Sequence, residues 1–381
     1  MLVTKYNDNM IRILNVFTIL NRGGAETMVM NYYRSIDRSQ IQFDFLVHRS
    51  EEGAYEQEIK SLGGRIYRLP ALSLRNIPQY IQAVRCFFDE HPEYRHLHGH
   101  CSELGYFIYK EASKRGIPFI AAHAHNTPTR GDIKTPVRNV LKRLIRPYLT
   151  HTLGCSQAAS NWLFGKEIAA NSYLLNNAID VSTYRFNEQI RKETRISLGI
   201  TDEVVLGNVS RFCKQKNHHF LIDVFADFVK KVPHSKLVLV GTGELKDEIE
   251  RLVADKGLTN RVLFLGSRID VSNLLMAMDV FFFPSFFEGL SVAMVEAQAA
   301  GLNIVTSTGV TSDIVLVKDA VRFLSLEKPI SEWVNMLITQ SVNRNRMLYN
   351  EEVTRMGFDV NQNANQLQNY YLSAFKDETI S

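Results

Sequence analysis

The 381-residue chain is short of cysteine: Cys86, Cys101, Cys155 and Cys213 stand far apart and form no C-x-x-C pair. They read as reduced thiols of a cytosolic protein rather than a disulfide framework. No apolar run reaches the length of a membrane span. The apolar stretch 11–20 contains Asn15 and Thr18, leads into Asn21-Arg22-Gly23-Gly24, and lacks a small-residue cleavage site. It is therefore a first strand and glycine turn rather than a signal peptide, and nothing directs the chain out of the cytoplasm. The net charge of +4 is too mild to argue for nucleic acid. There is no Asp-x-Asp metal motif. Gly241-Thr242-Gly243-Glu244 resembles a dinucleotide fingerprint, but Leu245 and Lys246 follow and the third glycine is missing, which weakens a nicotinamide-dependent dehydrogenase.

What is present is an alternation of short apolar runs and amphipathic stretches. At 45% hydrophobic and 22% charged the composition is that of a globular protein, and the length suits two domains. Strands are expected at 11–17, 43–48, 65–69, 96–100, 119–122 and 151–155, with helices between them. After a charged segment at 185–201, which reads as a linker with a short helix, the pattern resumes with strands at 204–209, 236–240, 262–266, 280–283, 303–306 and 320–324. Helices are expected at 330–339, 343–357 and 360–372, and residues 1–9 are expected to be frayed. Such alternation makes an α/β fold with parallel sheets covered on both faces, which bind ligands beyond the carboxyl ends of their strands.

The chemistry concentrates in 281–308, FFFPSFFEGLSVAMVEAQAAGLNIVTST. Pro284 and Ser285 end a buried strand, Glu288-Gly289 makes a loop, and Ser291 is placed to cap a helix that Gly301 ends. Glu288 lies at the loop mouth and Glu296 inside the helix. Between them, at Leu290, Ser291 and Val292, is a helix N-terminus whose backbone N–H groups suit phosphate. From Ser291 to Glu296 the helix rises roughly 7.5 Å, which fits a ligand with hydroxyls at both ends and a diphosphate between. In GNVSRFCKQKNH, Arg211 and Lys216 follow a strand and precede a helix, where two cations can converge on a diphosphate.

Two further strands end in histidines, HLHGH (His96, His98, His100) and AAHAHN (His123, His125). With no carboxylate or cysteine at ligand spacing, no metal is expected there. Residues 134–149, KTPVRNVLKRLIRPYL, carry five basic residues and no acid. Val137, Leu141, Leu144 and Ile145 fall on one helical stripe, with Lys134, Arg138, Lys142 and Arg146 largely elsewhere. Such a helix either lies on an anionic membrane or packs on a core with its basic side solvated.

EGLSVAMVEAQAAGLNIV resembles the E-x(7)-E region of the retaining GT-B glycosyltransferases of family 4 (the group 1 glycosyltransferases), and GNVSRFCKQKNH resembles their G-x-x-x-R-x-x-x-x-K-N motif. Asn177-Ala178-Ile179-Asp180 is similar to the family's N-G-I-D segment, with Ala178 in place of glycine, so that any left-handed turn there must be relaxed. SLEKPISEW resembles members acting in exopolysaccharide and capsule synthesis. The resemblance implies two Rossmann-like domains facing across a cleft, an acceptor domain at 1–188 and a donor domain at 189–359, with a C-terminal helix at 360–381 crossing back to the first. It implies a hexosyltransferase that moves a sugar from a nucleotide-diphosphate sugar, expected to be a UDP-sugar, to a glycan or polyprenyl-diphosphate-linked acceptor, with retention and without metal or other cofactor. Arg211 and Lys216 would bear the diphosphate, Glu288 the donor sugar and Glu296 the ribose. Gly289 and the N–H groups of 290–292 would complete the donor site, and Gly241 and Gly243 would border the base. Gly23 and Gly24 would touch phosphate and acceptor. His125, with His123 as the competing choice, would face the donor sugar. Catalysis would then rest on His125, Glu288, Arg211 and Lys216, in a cytoplasmic enzyme lying peripherally on the inner membrane face. A sugar-nucleotide epimerase of the same fold and a non-catalytic partner subunit are the alternatives.

Overall fold

The computed structural model describes residues 10–125, 135–342 and 346–380. The frayed start expected at 1–9, Lys134 of the basic helix, the start of the helix expected at 343–357 and the terminal Ser381 lie outside these residues. The chain forms two compact units, one reaching to Ala178 and resuming at Val360, the other Ile179–Asp359.

The first unit is a sheet of seven strands: β1 (Ile11–Phe17), β2 (Ile41–Val47), β3 (Ile66–Arg68), β4 (His96–Gly99), β5 (Phe119–Ala124), β6 (His151–Gly154) and β7 (Tyr173–Leu174). Their order is β3-β2-β1-β4-β5-β6-β7 and the pairings are parallel. Every residue of β2, IQFDFLV, is buried, as expected of a strand covered on both faces. Asp44 in its middle is held by Arg12 at 2.5 Å and by the Tyr94 hydroxyl at 2.7 Å. The last helix, Val360–Ile380, belongs to this unit and buries Tyr371 completely.

The second unit repeats the plan with β8 (Val204–Val209), β9 (Ser235–Val240), β10 (Val262–Phe264), β11 (Val280–Phe283), β12 (Asn303–Ser307) and β13 (Val321–Leu324), ordered β10-β9-β8-β11-β12-β13. In both units the strand order reverses once, between β1 and β4 and between β8 and β11. Such reversals open the crevice in which doubly wound sheets bind ligands.

The charged segment expected as a linker is an integral part of the second unit. Its helix, Glu188–Ser197, carries Arg191 and Arg195, which reach Asp279 at 2.6 and 3.4 Å and the carbonyls of Met276, Ala277 and Met278. The charges that made it look like a linker satisfy the end of the helix Val271–Ala277. The unit accordingly begins at Ile179 rather than at 189. Ala178 keeps a negative φ, and its N–H bonds Asn176 O at 2.7 Å, so the turn is relaxed as the missing glycine requires.

Candidate functional site

In the second unit the loops following β8 and β11 are tied together at the strand-order reversal. After β8 a single turn, Lys214–Lys216, ends at Asn217, a left-handed residue with φ 57°. The Asn217 amide donates to Pro284 O at 3.1 Å, and Phe286 N donates to Gln215 O at 2.9 Å. This clamp carries Lys216 to Glu288: Nζ meets Oε1 at 2.5 Å, above the Phe283 ring. Gln215 Nε2 donates to the same oxygen at 2.9 Å. Both members of the ion pair are largely buried, at 16% and 10% side-chain exposure, so each depends on the other for charge compensation. The loop after β12 completes the frame, with Glu288 N donating to Gly309 O and Thr311 N to Glu288 O.

Ser291 stands at the start of the helix Val292–Ala299, but its hydroxyl makes no capping bond. The expected side-chain cap is absent, so the Ser291 hydroxyl takes up none of the first-turn N–H groups, of which Met294 N bonds Ser291 O at 3.1 Å. Glu296 lies within this helix and receives the Tyr184 hydroxyl at 2.8 Å. Burial raises its carboxyl from 4.5 to about 7, with the Tyr184 bond pulling the other way. Arg211 is exposed just beyond the end of β8, and Lys216 is largely buried in its ion pair.

Gly241 and Gly243 have an internal reason to be glycine. Their φ values are +140° and +155°, and a Cβ would lie 2.1 Å from Ser210 O and 2.4 Å from Phe212 O. The loop they form bonds the segment after β8 through Phe212 N to Thr242 O at 2.9 Å. The expectation that they border a base must therefore share these positions with a structural demand.

In the first unit, Gly23 and Gly24 lead into the helix Gly24–Ser35. Gly24 is exposed, has no positive φ and leaves open space for a Cβ, so the fold itself places no demand for glycine there. His123 lies inside β5 and is fully buried, while His125 follows the strand and is partly exposed. Ring nitrogens of His98, His100 and His123 come within 4.8 Å of one another. Both nitrogens of His100 are already bonded, to Asn15 and His125, leaving two rings with free donor atoms where structural zinc takes four ligands. Burial lowers His98 and His125 to about 3 and His96 to about 4, so these rings are neutral.

The basic helix, Thr135–Ile145, is turned differently from the expectation. Arg138 pairs with the buried Glu103, and Lys142 is buried with its ammonium 3.5 Å from the Trp162 ring centroid. Val137, Val140 and Leu144 are exposed instead, beside an exposed Arg143. The carboxylate and the indole come from other elements and draw two cations inward. Among the described residues no helix is long and apolar enough to cross a membrane.

Sequence reasoning missed Gln215, Tyr184 and Asn15. Gln215 sits between the two lysines of KQK, and Tyr184 in the segment just past Asp180, but nothing local marks either as a partner of a glutamate.

Residues 190–352 match the family described as glycosyl transferases group 1, and residues 23–164 match the glycosyl transferase 4-like domain. A protein of Bacillus subtilis named as a glycosyltransferase, EpsF, is 36% identical over 97% of this chain and 99% of its own. The UDP-Gal:alpha-D-GlcNAc-diphosphoundecaprenol alpha-1,3-galactosyltransferase of Escherichia coli is 26% identical over 65% of this chain and 66% of its own. Among solved structures, Anabaena HepE in complex with UDP and glucose superposes with a TM-score of 0.79 at 20% identity, covering 95% of this chain and 100% of that one. With two doubly wound parallel sheets and both family domains in sequence order, the chain belongs to the group 1 glycosyltransferases and has the GT-B fold.

Proposed function

We propose that the protein transfers a hexosyl residue from a UDP-sugar, with retention and without a metal, to a polyprenyl-diphosphate-linked glycan in surface polysaccharide synthesis. The observation that carries this reading is the Lys216–Glu288 pair at 2.5 Å, on adjoining loops that also lead to a helix N-terminus. Glu288 Oε1 takes both the Lys216 and Gln215 donors, leaving Oε2 to receive a sugar hydroxyl. The Lys216 ammonium, the exposed Arg211 and the first-turn N–H groups bear the charge that develops on the departing diphosphate. Glu296 receives the ribose hydroxyls; an ionised carboxylate accepts them best, so nucleotide binding releases a proton from it.

Gly24 supports a close approach by ligand in the first unit, since nothing else there requires a missing side chain. His125 is read as the neighbour of the donor sugar. UDP in the Anabaena complex and the diphosphoundecaprenol acceptor in the Escherichia coli relative's name support the choice of base and acceptor. The apolar face of Val137, Val140 and Leu144, with Arg143, is the part of the first unit offered to the membrane that carries such an acceptor, on its cytoplasmic side.

A thermal-shift series with UDP, GDP, ADP and UDP-hexoses tests the reading. UDP and one UDP-hexose should stabilise the parent, by roughly 2.7 kcal/mol at 100-fold the dissociation constant, and Lys216→Ala and Glu296→Ala should abolish the shift. Stabilisation by another nucleotide replaces the base. No shift with any nucleotide turns the reading towards a partner subunit. The anomeric configuration of the product, read by NMR, decides retention.

A further inference from the structure

The segment that opens the second unit brings one side chain onto the carboxylate of Glu296. Asp180 there caps a single turn, Val181–Tyr184. It accepts Ser182 N at 3.2 Å, the Ser182 hydroxyl at 2.6 Å and the Thr183 hydroxyl at 2.9 Å. A side chain that bonds the residues just after it fixes such a turn without any helix beyond. Asn350, buried in the helix Arg346–Arg355, then holds the turn against the helix that carries Glu296. Its Nδ2 donates to Val181 O at 2.7 Å and to Ala299 O, at the end of Val292–Ala299, at 3.2 Å. The Tyr184 hydroxyl therefore reaches Glu296 Oε1 at 2.8 Å from a fixed base. Oε2 has no partner among the described residues and is not enclosed, and Glu296 keeps 9% exposure. One oxygen is tied to the protein and the other is left open.

A glutamate side chain has several rotatable bonds and a pair of equivalent oxygens, so burial alone leaves its direction unset. A donor fixed on one oxygen removes that freedom and favours the ionised form, which only accepts. We infer that Tyr184 is a positioning residue for the nucleotide, holding Glu296 Oε1 so that Oε2 meets a ribose hydroxyl in one direction. This rests on the reading of Glu296 at the ribose, and every group involved belongs to the second unit. The consequence is selectivity. A carboxylate held in this way rejects a deoxyribose that lacks the matching hydroxyl, whereas a freely turning one gives back much of that discrimination. Tyr184 achieves this through Glu296.

Calorimetry on the full chain with UDP, 2′-deoxy-UDP and 3′-deoxy-UDP tests the inference. The parent should bind UDP about tenfold more tightly than one of the deoxy analogues, the worth of one hydrogen bond to a carboxylate. In Tyr184→Phe that preference should fall to about twofold, while the analogue itself binds as it does to the parent. Retained binding of the analogue also shows that the variant is folded. Equal loss for UDP and both analogues overturns positioning in favour of a structural role. A preference unchanged in Tyr184→Phe overturns the inference and leaves Glu296 at the ribose. A parent that binds UDP and both analogues alike, or does not bind UDP, overturns the ribose reading itself and the inference with it.

Discussion

The two units share strand order and parallel pairing, yet they fill the carboxyl ends of their central strands with opposite kinds of polarity. The first buries neutral rings: His98, His100 and His123 are almost wholly enclosed, and burial keeps them uncharged. The second keeps formal charge, in the Lys216–Glu288 pair and in a carboxyl at Glu296 that titrates near neutrality. A sheet end that stabilises a leaving diphosphate needs fixed charge and free N–H groups, whereas one that orients hydroxyls needs hydrogen bonds of defined direction. On the proposed reading one fold plan would serve two electrostatic tasks, with strand residues supplying most of the rings of the first unit and loops the ion pair of the second.

The largest effect should come from removing the charge of the second unit. Lys216→Ala should lower turnover by about 10²–10³-fold, as loss of an oxyanion-type donor does. It should also cost about 3 kcal/mol of stability in urea unfolding, because Glu288 is left largely buried without its cation. Adding Glu288→Gln should recover much of the stability and none of the turnover. A turnover unchanged in Lys216→Ala would move the charge-bearing role elsewhere.

Acid should break the first unit before the second. For its histidines the folded values of about 3 to 4 lie below the unfolded value near 6.5. Between these the unfolded chain binds more protons, so their contribution is full above pH 6.5 and is lost as pH falls, by up to about 1.4 kcal/mol per ring per unit. His218, lowered to about 4, is one such ring in the second unit. The two tryptophans report the units separately: Trp162 lies in the first and the fully buried Trp333 in the second. In Trp333→Phe and Trp162→Phe variants, lowering pH from 7 to 5 should depress the Tm seen by Trp162 more than that seen by Trp333. Equal depression would mean that the rings are protonated in the folded state.

Glu296 has the opposite sign. Its folded value near 7 lies above 4.5, so the folded chain binds the extra proton between them and stability falls as pH rises through that window. Glu296→Gln should therefore raise Tm at pH 8 by the equivalent of about 2 kcal/mol and leave it nearly unchanged at pH 4.5, while weakening nucleotide binding at both. A gain independent of pH would show that the carboxyl is ionised throughout.

The smallest effect on stability, within about 0.5 kcal/mol, is expected for Val140→Ser with Leu144→Ser on the exposed face of the helix Thr135–Ile145. The pair should nevertheless reduce co-sedimentation with phosphatidylglycerol vesicles several-fold. Undiminished binding would remove this face from membrane contact.

Much of this was legible in the sequence wherever neighbours in the chain are neighbours in the site. The strands β8 and β11 fell where the apolar runs place them, and the segment Gly207–His218 and the two glutamates could be read from short-range pattern. What could not be read depends on partners from distant elements. The Tyr184 hydroxyl finds Glu296 across 112 positions, and Gln215 finds Glu288 across 73. The helix at 135–145 was turned by an indole and a carboxylate that its own periodicity does not encode. The segment 185–201 looks like a linker in sequence because charge suggests solvation, whereas Arg191 and Arg195 direct it to helix-end carbonyls.

The return of the last helix to the first unit also has a consequence for how the protein is made. The chain leaves the first unit at Ala178 and re-enters it at Val360, and at this point Ile179 N bonds Phe358 O at 3.0 Å. On the ribosome, the second unit has all its residues before the first has its final helix. Until Tyr371 emerges, His98 Nδ1 lacks the hydroxyl that it meets at 2.6 Å. The earlier-born unit is therefore the later to finish, and a chain released a few turns early would carry a complete second unit beside a first whose histidine core is still open.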